Sequence, residues 1–430
     1  MALTWRAPAL ALLGVVAVVL LPAAGTVVVW AVVVAAVCAL DALLAASPRQ
    51  VAVERRLPVS VRLDEAATSV LTLTNLGRRP LRALVRDAWP PSGTPVSDRH
   101  RVLVPPGEGR RATTVLRPSR RGDLHADRVT IRTLGPLGVA GRQASLTVPG
   151  RLRVLPPFRS RRHLPSRLAR LRELDGRTAV QVRGAGTEFD SLREYVIGDD
   201  VRSIDWRATA RRADVVVRTW RPERDRRVMI VLDTGRTAAL RVQDAPRLDA
   251  SLEAALLLAA LASHAGDRVE LLAYDRRVRT RVAGASGPRL MPALADALSG
   301  VQAELVETDW PGLAGQVRAR MSRRALVVLL SALDPAAVEQ GLLGVVGRLT
   351  ERHQVVLASV GDPEVEALRT GRDDVSAVFD AAAAERVGLE RAAVAQRLRQ
   401  RGVEVVDALP DDLAPRLADT YLALKAAGRL

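Results

Sequence analysis

Cysteine, lysine and aromatic side chains are almost absent from this chain. Cys38 is the one cysteine, so neither an intrachain disulfide nor a cysteine-based zinc site can form, and a reducing compartment is permitted without being required. Lys425 is the one lysine. Arginine therefore carries the positive charge, a bias that a genome rich in G and C produces unaided. Three Phe and three Tyr leave little for stacking on bases, which argues against nucleic acid as a partner. No phosphate-cradling loop of the GxxxxGKS/T type occurs, so an ATPase reading has no support.

What is present is unevenly spread. The 430 residues leave room for two or three domains and carry a formal net charge of +17. Residues 1–50 carry +1, residues 51–150 carry +9, residues 151–230 carry +9 and residues 231–430 carry −2. The excess lies towards the N-terminus, which suits a near end facing anionic lipid headgroups.

The N-terminal residues 1–50 read as a two-helix membrane anchor. Ala7 to Leu21 is apolar apart from glycine and proline, and after Pro22 to Gly25 a second run extends from Thr26 to Ala46. The second run is long enough for about 30 Å of hydrocarbon, and the first is near the lower limit. Arg6 precedes the pair, and Arg49, Arg55 and Arg56 follow it, so the positive-inside rule places both termini in the cytoplasm. A signal peptide is the rival reading of the first run, but the second run would still hold the chain. Asp41 falls inside the second run. It is read either as a carboxylate near the interface, which is favoured, or as a contact to a partner span.

Residues 51–150 change to short alternating runs such as Ser69 to Thr74 and Val129 to Thr133, separated by Asn75-Leu76-Gly77 and Pro105-Pro106-Gly107. This pattern predicts a small antiparallel β-sandwich. Residues 151–225 form a basic connector followed by a dense acidic and basic segment. Within the connector, Leu168, Leu171 and Leu174 mark a short amphipathic helix expected to pack on the domain behind it.

Residues 226–430 alternate strand and helix. Val228 to Leu232, Val269 to Ala273, Ala325 to Leu330, Gln354 to Val360 and Val403 to Val406 read as strands, with Val278 to Val282 a candidate edge. A helix follows from about Pro246 to Ala265, with Asp244 as its expected cap and Gly266 closing it. The class expected is α/β with a doubly wound, mostly parallel sheet.

Between Gly184 and Leu232 the motifs Glu188-Phe189-Asp190, Leu192-Arg193-Glu194-Tyr195, Gly198-Asp199-Asp200, Ile204-Asp205-Trp206 and Ala210-Arg211 stand in order. They resemble the signature of the domain of unknown function 58 family, and the resemblance covers roughly residues 150 to 420. It implies a von Willebrand factor A type fold beginning at Asp233. It also implies company: members commonly stand beside MoxR-type AAA+ ATPases and transglutaminase-like membrane proteins.

The von Willebrand factor A fold holds Mg2+ through an Asp-x-Ser-x-Ser loop, a later threonine and an aspartate after the fourth strand. Here the loop is Asp233-Thr234-Gly235-Arg236-Thr237 and the later aspartate position is Ala332. Asp233 and Thr237 are the remaining candidate metal ligands, Thr280 and Ser286 are weak candidates for the middle threonine, and Asp334 fits only a loop shifted by two residues. The expected site is therefore degenerate, and no other cofactor is expected.

Glu188, Asp190, Asp199, Asp200 and Asp205 could form an acid/base cluster. The arginines among them favour ionised carboxylates over groups tuned for proton transfer. The structural alternative pairs Asp199, Asp200 and Asp205 with Arg193, Arg202, Arg207 and Arg211, with Tyr195 nearby and the Trp206 ring buried. A membrane-anchored, cytoplasm-facing protein-interaction scaffold acting with a MoxR-type ATPase in assembly of an envelope complex is the leading expectation. A hydrolase using the acidic cluster, or metal-dependent adhesion, is the alternative.

Overall fold

The computed structural model describes residues 2–181, 188–197, 199–212, 214–221 and 226–430. It divides into two compact units, Met1–Pro157 and Phe158–Leu430. The first unit thus takes in both the apolar helices and the β-domain, and the connector helix belongs to the second.

In the first unit β1 (Ala2–Leu3) precedes α1 (Arg6–Leu12), α2 (Gly14–Leu20) and α3 (Ala24–Leu44). Eight further strands follow: β2 (Val51–Arg56), β3 (Ser60–Arg62), β4 (Ala67–Asn75), β5 (Leu81–Asp87), β6 (Arg99–Val104), β7 (Gly109–Leu116), β8 (Gly122–Leu134) and β9 (Ala140–Leu155). One sheet has the order β1-β9-β8-β5-β6 with β3 also on β9, and a smaller sheet has the order β2-β4-β7. Alternate residues such as Leu71 and Leu73 of β4, Val85 of β5 and Ile131 of β8 are fully buried in one cluster shared by the two sheets. That alternation is what a strand with one face in the core requires.

Helix α3 lies in a stretch, Ala24–Gln50, that is long and apolar enough to cross a membrane, and only 17% of its apolar window is buried. Residues Arg6–Leu20 form a shorter apolar stretch, interrupted at Leu13 between α1 and α2. Trp30 Nε1 donates to the Leu10 carbonyl at 3.3 Å, linking α3 to α1.

Asp41 lies in the last turn of α3. Its carboxylate is fully buried and accepts from the backbone N–H groups of Leu137 (2.9 Å), Val139 (2.8 Å) and Ala140 (2.9 Å) in the β8–β9 turn. Three backbone donors compensate a carboxylate that lipid would leave stranded. Arg142 Nε donates to the Ala42 carbonyl beside it. At the other end of the helices Ala2 and Leu3 pair with Gly141 and Ala140.

In the second unit α4 (Leu164–Gln181) packs through the buried Leu171 and the half-buried Leu168 and Leu174. Then come β10 (Glu188–Glu194), α5 (Trp206–Arg212), β11 (Val216–Arg221), β12 (Arg227–Asp233), α6 (Arg236–Ala239), β13 (Arg241–Val242), β14 (Ala245–Pro246), α7 (Arg247–His264), β15 (Arg268–Tyr274) and β16 (Val278–Val282). The rest is α8 (Leu290–Ser299), α9 (Trp310–Arg320), β17 (Leu326–Leu330), α10 (Pro335–Ala337), α11 (Leu343–Thr350), β18 (Gln354–Val360), α12 (Pro363–Leu368), α13 (Val375–Gln400), β19 (Val403–Ala408) and α14 (Pro410–Ala426).

The main sheet has the order β16-β15-β12-β17-β18-β19. All neighbours are parallel except β16, which is antiparallel to β15. Val228, Ile230 and Leu232 of β12 face a core shared with α7, α8 and α14, while Met229 and Val231 face one shared with α9, α11 and α13. Both faces are covered, which is why the strands are continuous apolar runs. Asp244 does not cap α7: the helix begins after Pro246 without a side-chain cap, and Gly266 closes it at φ +77°, a conformation open to glycine.

Candidate functional site

Strand order puts the first strand of this sheet, β12, between β15 and β17. The chain leaves β12 to one side and returns on the other, and in open α/β sheets that point is where loops diverge and ligands bind. Asp233 is the last residue of β12 and lies there, 3% exposed.

Four donors converge on its two oxygens. Thr308 Oγ1 donates to Oδ1 at 2.5 Å and Gly235 N at 2.9 Å, while Ser331 Oγ donates to Oδ2 at 2.6 Å and Thr237 Oγ1 at 3.4 Å. Burial pushes the Asp233 carboxyl above the ordinary carboxylate range, opposed by the bonds from Ser331, Thr308, Gly235 and Thr237. The segment bearing Thr308 is tied over the site: Glu304 N donates to the Thr234 carbonyl, Arg236 N to that of Val306 and Asp309 N to that of Asp275.

Gly235 is explained by that overlying segment. A Cβ at 235 would stand 2.3 Å from Thr308 Oγ1 and 2.9 Å from the Val306 carbonyl, so a serine cannot sit there without displacing the segment. The space a ligand hydroxyl would use is taken by Thr308.

Beside this carboxylate lies a second buried one. Asp275 is fully buried and accepts from Thr234 Oγ1 at 3.0 Å and Arg279 Nε at 2.5 Å. Burial raises its pKa, but Arg279, the N–H groups of Arg276 and Arg277 and Thr234 together hold it below the ordinary range. Arg247, at the start of α7, is also buried and donates to the Thr237 carbonyl at 3.2 Å.

Sequence reasoning missed Thr308, Asp275 and the role of Ser331. The two threonine substitutes it weighed are elsewhere: Thr280 pairs with Ala273 inside the sheet edge, and Ser286 precedes the turn Gly287–Arg289. Asp334 accepts from Ala337 N at 3.1 Å as the cap of α10. The donor set does not suit Mg2+, which needs near-octahedral oxygen ligands with enough negative charge. One carboxylate whose lone pairs already receive four donors, with Ala332 where a second acid would stand, is a hydrogen-bonded cluster and not a cation cage. Among the described residues no three His, Cys, Asp or Glu side chains form a group able to hold a metal ion.

The family signature builds a different site. Strands β10 and β11 pair antiparallel, and the loop and α5 between them carry the acids. Asp199 forms a two-pronged pair with Arg193, at 2.6 and 2.7 Å, and accepts from Val196 N at 3.0 Å. Arg193 first and Val196 second hold its carboxyl below the ordinary range. Asp205 caps α5 by accepting from Arg207 N and Ala208 N, and also receives Arg218 Nε at 2.8 Å. The Ala208 N–H and then Arg218 lower its pKa. Asp200 accepts from Arg202 N.

The expected pairing is therefore corrected in detail. Arg193 finds Asp199, but Asp205 takes Arg218, and Arg207 contributes its backbone N–H to Asp205. Arg202 likewise meets Asp200 through its backbone, and Arg211 is exposed on α5. The Tyr195 backbone N–H donates to the Val215 carbonyl. Trp206 does not bury its ring: it is 66% exposed. The side chains of Glu188 and Asp190 lie outside the described residues.

The curated relatives carry no assigned activity. Residues of this chain are 28% identical over 191 residues to uncharacterized proteins of Mycobacterium tuberculosis and Mycobacterium bovis, covering 42% of this chain and 57% of each relative. Among solved structures, the CARDB domain of a Pyrococcus furiosus protein matches at 17% identity and TM-score 0.19, covering 24% of this chain and 91% of its own. Native alpha-2-macroglobulin from Escherichia coli matches at 23% identity and TM-score 0.21, covering 26% of this chain and 18% of its own. The family described as protein of unknown function DUF58 matches residues 191–405, half of the sequence, and the chain belongs to that family.

Proposed function

We propose that this protein is a membrane-anchored scaffold that binds other proteins through a von Willebrand factor A type domain, working with a MoxR-type AAA+ ATPase in the assembly of an envelope complex. One observation carries the reading: among the described residues, Asp199, Asp205 and Asp233 spend their oxygens on internal donors. Asp199 is matched by Arg193, Asp205 by Arg218 and two backbone N–H groups, and Asp233 by four donors. A general base needs a lone pair aimed at substrate, so these clusters suit a rigid recognition surface better than a hydrolase. The von Willebrand reading is supported by a carboxylate ending the central strand, with Thr237 of α6 and Thr308 of a later loop reaching it.

Two apolar spans returning to one side, with both termini in the cytoplasm, complete the proposal. It is supported by β1 and the end of α3 both meeting the β8–β9 turn. Arg6, Arg49 and Arg56 supply the flanking charge. Arg55 does not count towards it, because it is buried against Asp87 at 2.7 Å. The test is purification of the tagged full chain from native membranes with and without ATP. A MoxR-type ATPase enriched over an untagged control, and released on ATP turnover, is expected; its absence from repeated preparations would overturn the partnership.

A further inference from the structure

Strand direction gathers four connections at one end of the two-sheet domain. Val51 at the start of β2 pairs with Asn75 at the close of β4, Leu81 at the start of β5 pairs with Val104 at the close of β6, and Gly109 of β7 lies opposite Thr74. The α3–β2 connection and the β4–β5, β6–β7 and β8–β9 turns therefore share the end at which α3 enters.

Hydrogen bonds set two of these turns level with the close of α3. Leu137 N donates to Asp41, and Val139 packs with Cys38 and Ala42. Arg79 Nη1 donates to the Leu43 carbonyl at 2.9 Å, and Leu76 N to that of Gln50 at 2.9 Å. The N-terminal residues join them, with Thr4 Oγ1 donating to the Gly138 carbonyl at 2.7 Å and Arg6 Nη1 to that of Leu137 at 2.9 Å.

The side chains exposed around this junction are of two kinds. Trp5, Leu76 and Leu137 are 76%, 69% and 53% exposed. Arg6, Arg49, Arg78 and Arg79 are exposed as well, and among the described residues no carboxylate pairs with them. Residues 2–6, 45–50, 75–80 and 135–140 contain no acid, and the remaining turn adds Glu108, which Arg110 matches at 2.9 Å. The opposite end of the domain differs, mixing Asp64, Glu65 and Asp98 with Arg117, Arg120 and Arg121. A lone exposed leucine means little. Leucine and tryptophan held level with the end of an apolar helix, among unmatched guanidinium groups, have the composition of an interfacial membrane contact.

We propose that this end of the two-sheet domain is seated on the bilayer, with Trp5, Leu76 and Leu137 at the hydrocarbon boundary and the four arginines on anionic lipid headgroups. The proposal rests on the membrane reading of α3, because a domain tethered by that helix meets the surface at high effective concentration. It goes beyond that reading by making the β-domain itself a lipid-binding module and by fixing which of its ends faces the membrane.

The test uses the full chain in a Cys38→Ala background, one chain per nanodisc, with a fluorophore on Leu76→Cys or, at the opposite end, on Val59→Cys. The discs hold phosphatidylcholine with or without phosphatidylglycerol, and a fraction of the lipid carries a nitroxide quencher on its headgroup. Flotation with liposomes, run in parallel, reports anchoring alone. We expect the Leu76→Cys label to be quenched about threefold or more beyond the Val59→Cys label, and more strongly with phosphatidylglycerol present. Arg49→Glu combined with Arg78→Glu should abolish the phosphatidylglycerol increment with flotation unchanged. Equal quenching of the two labels in a chain that floats would overturn the seating and leave the anchor standing. Quenching of the Leu76→Cys label that ignores phosphatidylglycerol would overturn the headgroup assignment. A chain that does not float would refute the membrane reading and the proposal with it. A label on Leu137→Cys reads the same contact should the Leu76→Cys chain fail to fold.

Discussion

Asp233 at the end of the central strand and Asp199 and Asp205 in the signature hairpin are the same side chain solved in two ways. Asp233 is buried and receives only uncharged donors, and its carboxyl is pushed up. Asp199 and Asp205 sit among arginines near solvent, and their carboxyls are held down. Desolvation decides the first case and direct donors decide the second. A high density of acids therefore says little about chemistry until each acid's donors are known.

The comparison breaks most visibly at Asp233. Replacing it with alanine removes the common acceptor of Thr237, Thr308, Ser331 and the Gly235 N–H, and should cost about 3 kcal/mol in chemical denaturation. A loss under about 1 kcal/mol would mean that the hydroxyls find other partners and that the cluster is not a structural unit.

A smaller effect separates the two regions by sign. Asp233, with its raised folded pKa, contributes stability that is fully present below about 3.9 and is lost as pH rises through the folded value. Asp199 and Asp205 do the reverse: theirs is present above about 3.9 and is lost as pH falls through their depressed values. Thermal unfolding across mildly acidic to neutral pH should fall more steeply with rising pH in the parent than in Asp233→Asn. Parallel curves would show that Asp233 titrates as an ordinary carboxyl.

The smallest change is expected in the hairpin. Asp199→Ala and Asp205→Ala should leave the global unfolding midpoint within error, because exposed pairs are screened by water and salt. Faster local hydrogen exchange at Val196 and Ala208 is their expected signature. A large drop in midpoint for either would show that the hairpin is integral to the core.

How much of this was readable in advance follows the range of the interactions. Val228 to Leu232 is apolar at every position, and a strand covered on both faces leaves that mark in the sequence itself. Leu168, Leu171 and Leu174 mark a packed helix face for the same reason. Thr308 left no local mark. It reaches Asp233, 75 residues away in sequence, only because Glu304, Val306 and Asp309 bond back to three separate positions. Gly235 looked like a lost ligand when read alone; beside Thr308 it is a residue whose missing Cβ admits the overlying segment. Trp206 misled differently, since a tryptophan in a charged stretch reads as core and this one faces outward. The partners of Asp199 and Asp205 were foreseeable as arginine and backbone, but which arginine depends on the β10–β11 register.

Asp41 makes the junction between α3 and the β-domain a fixed joint and not a swivel. Most single helices enter a folded domain through a linker that absorbs rotation; here the last turn is pinned by the N–H groups of Leu137, Val139 and Ala140. In a bilayer, helices respond to a change in hydrocarbon thickness by tilting. Under the proposed anchoring, with no slack at Asp41, tilting α3 would turn the two-sheet domain with it, so membrane thickness would be converted directly into the orientation of a rigid domain.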